Sequence, residues 1–235
     1  MQLRQVKDIQ YHLLPGAERK TTDIVIERNG LITVRPPVCM TPEQADEAVL
    51  SKRMWIYRNL AEWRDLNATH VVREWVNGES FPYLGSHYCL QIGQEQDEPL
   101  KLKNGRFCLQ RAIIDEGGNQ AAQKAFEHFY TVKGLARINS RVKYFASKVG
   151  VSAGKVQIKD IGYRWASCLT NGDINFHWKC MMAPLTIIDY IIVHELCHLH
   201  HRDHSVAFWN EVDKVLPDYQ ERKSWLKSRG AQYDF

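Results

Sequence analysis

The chain has 235 residues, of which 44% are apolar and 25% charged, with a net charge of +4. That length allows one large or two small domains with a proper core, and the composition is that of a soluble globular protein. A net charge of +4 gives no indication of a nucleic-acid partner, and no apolar run approaches the ~20 residues needed to span a membrane.

The N-terminus, Met-Gln-Leu-Arg-Gln-Val-Lys-Asp, lacks the apolar segment of a secretion signal. Six cysteines lie at irregular spacings with no CxxC pair, which reads as free thiols in a reducing compartment. Both features predict a cytoplasmic protein.

In chain order, residues 1–117 read as β-rich with one helix. Asn-Gly recurs at 29–30, 77–78 and 104–105, a dipeptide suited to tight type I′ hairpin turns. The first predicts pairing of Asp23 to Arg28 with Leu31 to Arg35, stopped by Pro36-Pro37. Thr41-Pro42-Glu43 opens a helix with a capping threonine, a proline in the first turn and then an acid. It is expected to run to about Leu66, with Met54, Trp55 and Tyr57 supplying apolar contacts. No internal repeat is visible.

Gly117-Gly118-Asn119 is the clearest break in composition and divides the chain into 1–117 and a second domain, 118–235. From Gln120 to about Lys148, apolar residues including Ala125, Phe129, Val132, Leu135 and Ala136 recur at helical spacing. A hairpin follows around Asn171-Gly172, pairing Tyr163–Thr170 with Asp173–Cys180. The run from Pro184 to His201 is rich in β-branched residues, yet it is too long for a strand. A helix apolar on nearly all sides is the expectation, buried under the site it carries. Ser205 then caps a helix with Phe208, Val212, Val215 and Leu216 on one side, ended by Pro217. Asp218 to Lys227 offers a last helical stretch anchored by Trp225 and Leu226.

Residues 194–204, His-Glu-Leu-Cys-His-Leu-His-His-Arg-Asp-His, hold five of the ten histidines. On a helix, His194 and His198 project from one face, one turn apart, and can share a zinc ion. Zinc lowers the pKa of water to about 7, and Glu195 is placed to take the proton as that water attacks. Cys197 points away from this face and reads as a small buried side chain.

The third ligand is expected at His204. His200 faces the other side of the helix, and His201 would stand in line with the first two, which does not suit a tetrahedral ion. His204 can return only if the helix ends near His201 to Asp203, with Asp203 tolerating a left-handed turn and Ser205 starting the next helix. The spacing is similar to that of metzincins, which carry glycine where this chain has His201.

These residues predict a zinc-dependent hydrolase. Nothing in the motif fixes the electrophile, so a nucleotide phosphoanhydride is an alternative substrate, although no GxxxxGK[ST] loop is present. A non-enzymatic, zinc-stabilised binding module is a third reading. Glu195 speaks against it, because a structural zinc site needs no base.

A wider set of residues carries a resemblance. It comprises Arg164-Trp165-Ala166-Ser167-Cys168, Ile174-Asn175-Phe176, Asp189-Tyr190 leading into His194, then His204-Ser205, Phe208-Trp209, Pro217-Asp218-Tyr219 and Trp225-Leu226. Upstream, Gly78-Glu79-Ser80-Phe81-Pro82-Tyr83-Leu84-Gly85 and Lys103-Asn104-Gly105 extend it. Together they resemble the YgjP-like family of predicted zinc metallopeptidases. The resemblance implies an α+β fold whose zincin-like half packs the His194 helix under a small sheet. It also implies zinc on His194, His198 and His204, with Glu195 as general base and a peptide or protein as substrate.

Ala166 departs from the family's usual glycine and bears on substrate fit. Asp173 to Cys180 is the candidate edge strand for pairing with an extended substrate. Arg164 could orient an anionic group, Tyr219 could donate to an oxyanion, and Asn175 is a further candidate for contacting substrate.

Overall fold

The structure, a computed structural model, describes residues 2–18, 21–27, 29–67, 73–93, 96–162 and 164–233. Its contacts divide the chain into two compact units, Met1–His70 and Val71–Phe235. Both are mixed α and β.

In the first unit, β1 (Gln2–Val6), β2 (Ile9–Leu13), β3 (Asp23–Ile26) and β4 (Ile32–Arg35) form a sheet in the order β1-β2-β4-β3. The central pair, β2 and β4, is parallel. The β3–β4 connection spans residues 27–31 rather than two residues, with the Leu31 N–H donating to Asn29 Oδ1. Arg28, expected to end the first strand, lies outside the described residues.

Thr41 caps α1 (Pro42–Ser51) in a reciprocal box with Gln44, as its sequence predicts. The expected single helix is interrupted at Lys52, and α2 (Arg53–Asn67) starts afresh. Met54 and Trp55 are exposed. Val49 and Ile56 are the helical residues that fill the core, against Ile9, Tyr11, Ile32 and Val34.

The second unit opens with β5 (Ser80–Tyr83), β6 (Ser86–Gly93), β7 (Leu100–Lys103) and β8 (Arg106–Gln110), in the order β5-β6-β8-β7 with β6 and β8 parallel. This repeats the topology of the first sheet, a repeat absent from the sequence. Asn104-Gly105 makes the predicted two-residue turn, with φ of 50° and 70°. Asn77-Gly78 makes no hairpin. It forms a turn before β5 instead, the Gly78 N–H donating to the Leu90 carbonyl.

The helix α3 (Arg111–Val149) contains Gly118 at φ 58°, so the glycine pair joins two helical segments rather than two domains. Phe81, Leu90, Phe107 and Leu109 of the β5–β8 sheet share one core with Phe126, Phe129, Tyr130 and Ile138 of α3. The sheet assigned by sequence to the N-terminal part therefore belongs with the residues that follow it. Val132 and Leu135, expected inside, are exposed.

A three-stranded sheet follows, of β9 (Val156–Lys159), β10 (Ala166–Cys168) and β11 (Ile174–His177), in the order β10-β11-β9. The hairpin at Asn171-Gly172 is present but shorter than expected, and Tyr163 lies outside the described residues. A 3₁₀ turn, Trp178–Met182, leads into α4 (Leu185–Cys197), which packs on β10 and α3. Then come α5 (Val206–Val215) and α6 (Tyr219–Arg229). All six cysteines are free, and no helix among the described residues is long and apolar enough to cross a membrane.

The entry to α4 is held by the β5–β6 turn, Leu84-Gly85, at φ 52° and 82°. The N–H groups of Leu84 and Gly85 donate to the Met181 and Met182 carbonyls at 2.8 and 3.2 Å. A Cβ on Gly85 would lie 2.9 Å from Pro184 Cα, at the N-cap of α4. Gly85→Ala is therefore expected to combine backbone strain with a clash against main chain, costing about 2 kcal/mol or more. A thermal midpoint unchanged from the parent would contradict this reading.

His177 gives a pH prediction. Burial first, then the Lys179 charge, pushes its imidazole down to about 4. Nδ1 already accepts the Lys179 N–H at 3.1 Å, so protonation there would break a bond. The unfolded chain takes up the proton near 6.5 and the folded chain does so only near 4, so stability is lost as pH falls through that window. In His177→Gln the loss between pH 7 and 4.5, measured by urea unfolding, should be smaller by about 2–3 kcal/mol.

Candidate metal centre

Ile187, Ile188, Ile191, Ile192, Val193 and Leu196 bury α4 on most sides. The helix ends earlier than the sequence suggests, at Cys197, with His198 as its C-cap. The His200 and His201 N–H groups close the end on the Cys197 carbonyl at 3.1 and 3.0 Å. No residue from 198 to 205 has a positive φ, so the turn needs neither glycine nor a left-handed Asp203. Asp203 acts through its side chain instead, Oδ1 accepting the Ser205 N–H at 3.4 Å. Ser205 caps α5 through Phe208, as expected.

This route brings His204 back over the helix. Ring centroids of His194, His198 and His204 are 4.9, 5.0 and 4.8 Å apart pairwise, three imidazoles around one point. Phe208 lies against all three, at 4.9, 4.6 and 4.9 Å. The Nε2 atoms of His194 and His204 are 3.0 Å apart, and one nitrogen from each of the three rings falls within 4.8 Å of the others. His200 instead meets the Val149 carbonyl through Nε2 at 3.0 Å, away from this cluster.

The donor set fits a metal ion. Burial first, then the neighbouring histidines and Lys223, pushes His194 down to about 3, and burial also lowers His204. Neutral rings have a lone pair to give. His198 Nδ1 lies 3.0 Å from the His201 carbonyl, a contact that directs its Nε2 lone pair to the centre. The His194–His204 separation is close to the edge of about 3.3 Å expected around a tetrahedral ion with bonds of 2.0–2.1 Å. His194 Nδ1 is buried without a hydrogen-bond partner among the described residues. No fourth His, Cys, Asp or Glu joins the group among them.

Glu195 is buried on the same helix, 6% exposed. Burial pushes its carboxyl up to about 7, opposed by the Cys168 backbone amide and by the Arg164 charge. Cys197 is buried, as predicted.

The edge strand needs correction. Asp173–Cys180 was the candidate, but β11 is central, antiparallel to β10 and parallel to β9. The outer strands are β10 and β9, and β10 is the edge that packs beside α4. The bonds His177 N–H to Trp165 carbonyl and Leu169 N–H to Asp173 carbonyl set the ladder's parity, so the Ala166 and Cys168 peptide groups face outward. The Cys168 amide is turned to Glu195. Ala166 is partly buried against the core.

Of the three candidate substrate contacts, Arg164 is exposed near enough to influence Glu195. Asn175 is buried in the central strand, its Oδ1 without a partner among the described residues. Tyr219 stacks on Trp209 (5.3 Å, 17°), which itself stacks on His204 (5.7 Å, 28°). Sequence reasoning missed the Cys168 amide, Lys223 and Arg202. Arg202 donates to the Leu169 and Thr170 carbonyls at 2.9 and 3.1 Å and ties the His204 loop to the β10–β11 turn. A backbone amide leaves no trace in sequence, and isolated basic residues carry no pattern.

The profile of the YgjP-like metallopeptidase domain matches residues 20–229, and the chain belongs to that family. Among solved structures, the metallopeptidase zymogen abylysin of Pyrococcus abyssi is similar at 24% identity and a TM-score of 0.38, over 40% of this chain and 96% of that one. None of the curated proteins compared with the chain matches it.

Proposed function

We propose that the protein is a zinc-dependent peptidase in which His194, His198 and His204 hold the ion and Glu195 is the general base. The observation that carries this reading is the convergence of three imidazoles beside the buried Glu195 carboxyl. Three imidazoles with an open fourth position suit catalytic zinc better than a closed structural site. When bound, the ion lowers the pKa of water to about 7 and polarises a carbonyl. Glu195 takes the proton of the attacking water and delivers it to the departing amine. Burial raises the proton affinity of this carboxyl, which favours its accepting the proton.

An extended peptide lies along β10 and pairs with the outward N–H and C=O of Ala166, a mode that recognises main chain rather than sequence. The Ala166 methyl is packed against the core, which leaves those groups open. Six free thiols support the reducing cytoplasm as the place of action.

Glu195→Gln should retain zinc while turnover falls by at least about a hundredfold. Normal turnover in that variant would sink the mechanism. For the metal, His204→Ala is expected to lose zinc, while His200→Ala and His201→Ala keep about one ion per chain. Elemental analysis of the purified variants decides it, and full occupancy in His204→Ala would remove that residue from the site. Chelator-sensitive cleavage of an unfolded protein is expected. Release of phosphate from a nucleoside triphosphate without any peptide cleavage would overturn the substrate class.

A further inference from the structure

An ammonium group stands on the aromatic ring that flanks the histidine cluster. Lys223 Nζ lies 4.0 Å from the centroid of Trp209, the ring stacked on His204. Its charge reaches the cluster, depressing both His194 and His204, with the Asp203 carboxylate opposing it at His204. Lys223 makes no ion pair among the described residues.

The helix that carries it is fixed at both ends. Arg222 donates to the Thr186 carbonyl at 2.8 Å, and Gly230 sits so close to the Trp165 ring that a Cβ there would meet it at 2.8 Å.

This placement is unfavourable for metal binding alone, since an ammonium repels a divalent ion across a partly desolvated gap. An exposed cation–π contact is weak, so the ring holds the flexible four-carbon arm loosely. A weakly held cation next to an electrophilic centre suits a negative charge that appears only during reaction.

We propose that Lys223 is a further catalytic residue, its ammonium donating a hydrogen bond to the carbonyl oxygen of the scissile peptide as that oxygen becomes negative. The assignment rests on the peptidase reading above. As the water oxygen bonds to the carbonyl carbon, the π pair of the C=O moves onto oxygen, where Lys223 meets it without giving up its proton. Glu195 holds the proton from water. Return of the electron pair re-forms the carbonyl and breaks the C–N bond, and the amine leaves with the proton from Glu195. Tyr219, the sequence-based candidate for this role, sits one turn earlier on α6 with its ring against Trp209.

The test compares the zinc-loaded full chain with Lys223→Met, which keeps the stem on Trp209, and Lys223→Arg, which keeps the charge. On an N-acetylated, C-amidated peptide, Lys223→Met should lower kcat at least about tenfold with KM little changed, and Lys223→Arg should recover most of it. Affinity for an acetylated, amidated phosphinic tripeptide, a tetrahedral anion, should fall in parallel. Zinc affinity should rise severalfold in Lys223→Met, as repulsion is removed.

Unchanged kcat and phosphinate affinity in Lys223→Met would overturn the proposal. So would a loss confined to peptides with a free C-terminal carboxylate. If the parent protein cleaves no peptide, the peptidase reading fails, and the phosphinate and zinc titrations decide the role of Lys223 as an anion-binding group on their own.

Discussion

The site depends on the chain leaving α4 immediately after His198 and coming back within a few residues. Two imidazoles four apart on a helix can touch one ion, but a third on the same straight axis cannot complete a tetrahedral set. The helix is therefore closed by one i+3 and one i+4 bond onto the Cys197 carbonyl, and Asp203 and Ser205 nucleate the next one. Phe208 makes the return specific. One apolar ring packs against all three imidazoles, so α5 cannot shift without moving His204. Bringing the imidazoles together partly withdraws His194 and His198 from water while His204 stays exposed, a cost offset by the apolar burial of α4.

The same burial sets the electrostatics. A carboxylate exposed to water would stay ionised far below neutral pH and would be a weak base. Removing Glu195 from water raises its proton affinity, and the Cys168 amide limits how far. That amide comes from the free edge of β10, because residues 166 and 168 occupy the outward positions of the ladder. The edge strand β10 thus also meets the Glu195 carboxyl through its main chain. Arg202 reinforces the arrangement by bonding the β10–β11 turn from the loop that carries His204.

What was legible in the sequence was local. The HExxH pair, the capping of α1 by Thr41 and of α5 by Ser205, the stop at Pro217 and the tight turn at Asn104-Gly105 all depend on residues a few positions apart. His204 was reached by eliminating His200 and His201 on helical geometry. Pairing over longer range was not legible. β11 became central because Val156–Lys159, upstream of the hairpin, adds to it in parallel, and no pattern in either strand announces that partner. The Leu84-Gly85 turn was hidden because leucine rarely adopts φ near 50°. Met54 and Trp55 look like core residues until Lys52 breaks the helix and turns Ile56 inward instead.

The glycine pair in α3 shows why a break in composition is a poor guide to packing. Gly117-Gly118 is a true backbone break, with Gly118 at φ 58°, yet the core runs across it. Phe81, Phe107 and Phe126 pack ring against ring, at 4.4 and 4.9 Å between Phe126 and the other two, joining the β5–β8 sheet to α3. Tyr130 adds a hydrogen bond from its hydroxyl to the Pro82 carbonyl at 2.7 Å. α3 in turn holds α4, through Arg141 on both carboxylate oxygens of Asp189 at 2.7 and 2.6 Å. The histidine helix is thus supported at its entry by the Leu84-Gly85 turn and along its length by α3, so residues 80–110 are part of what positions the histidine cluster.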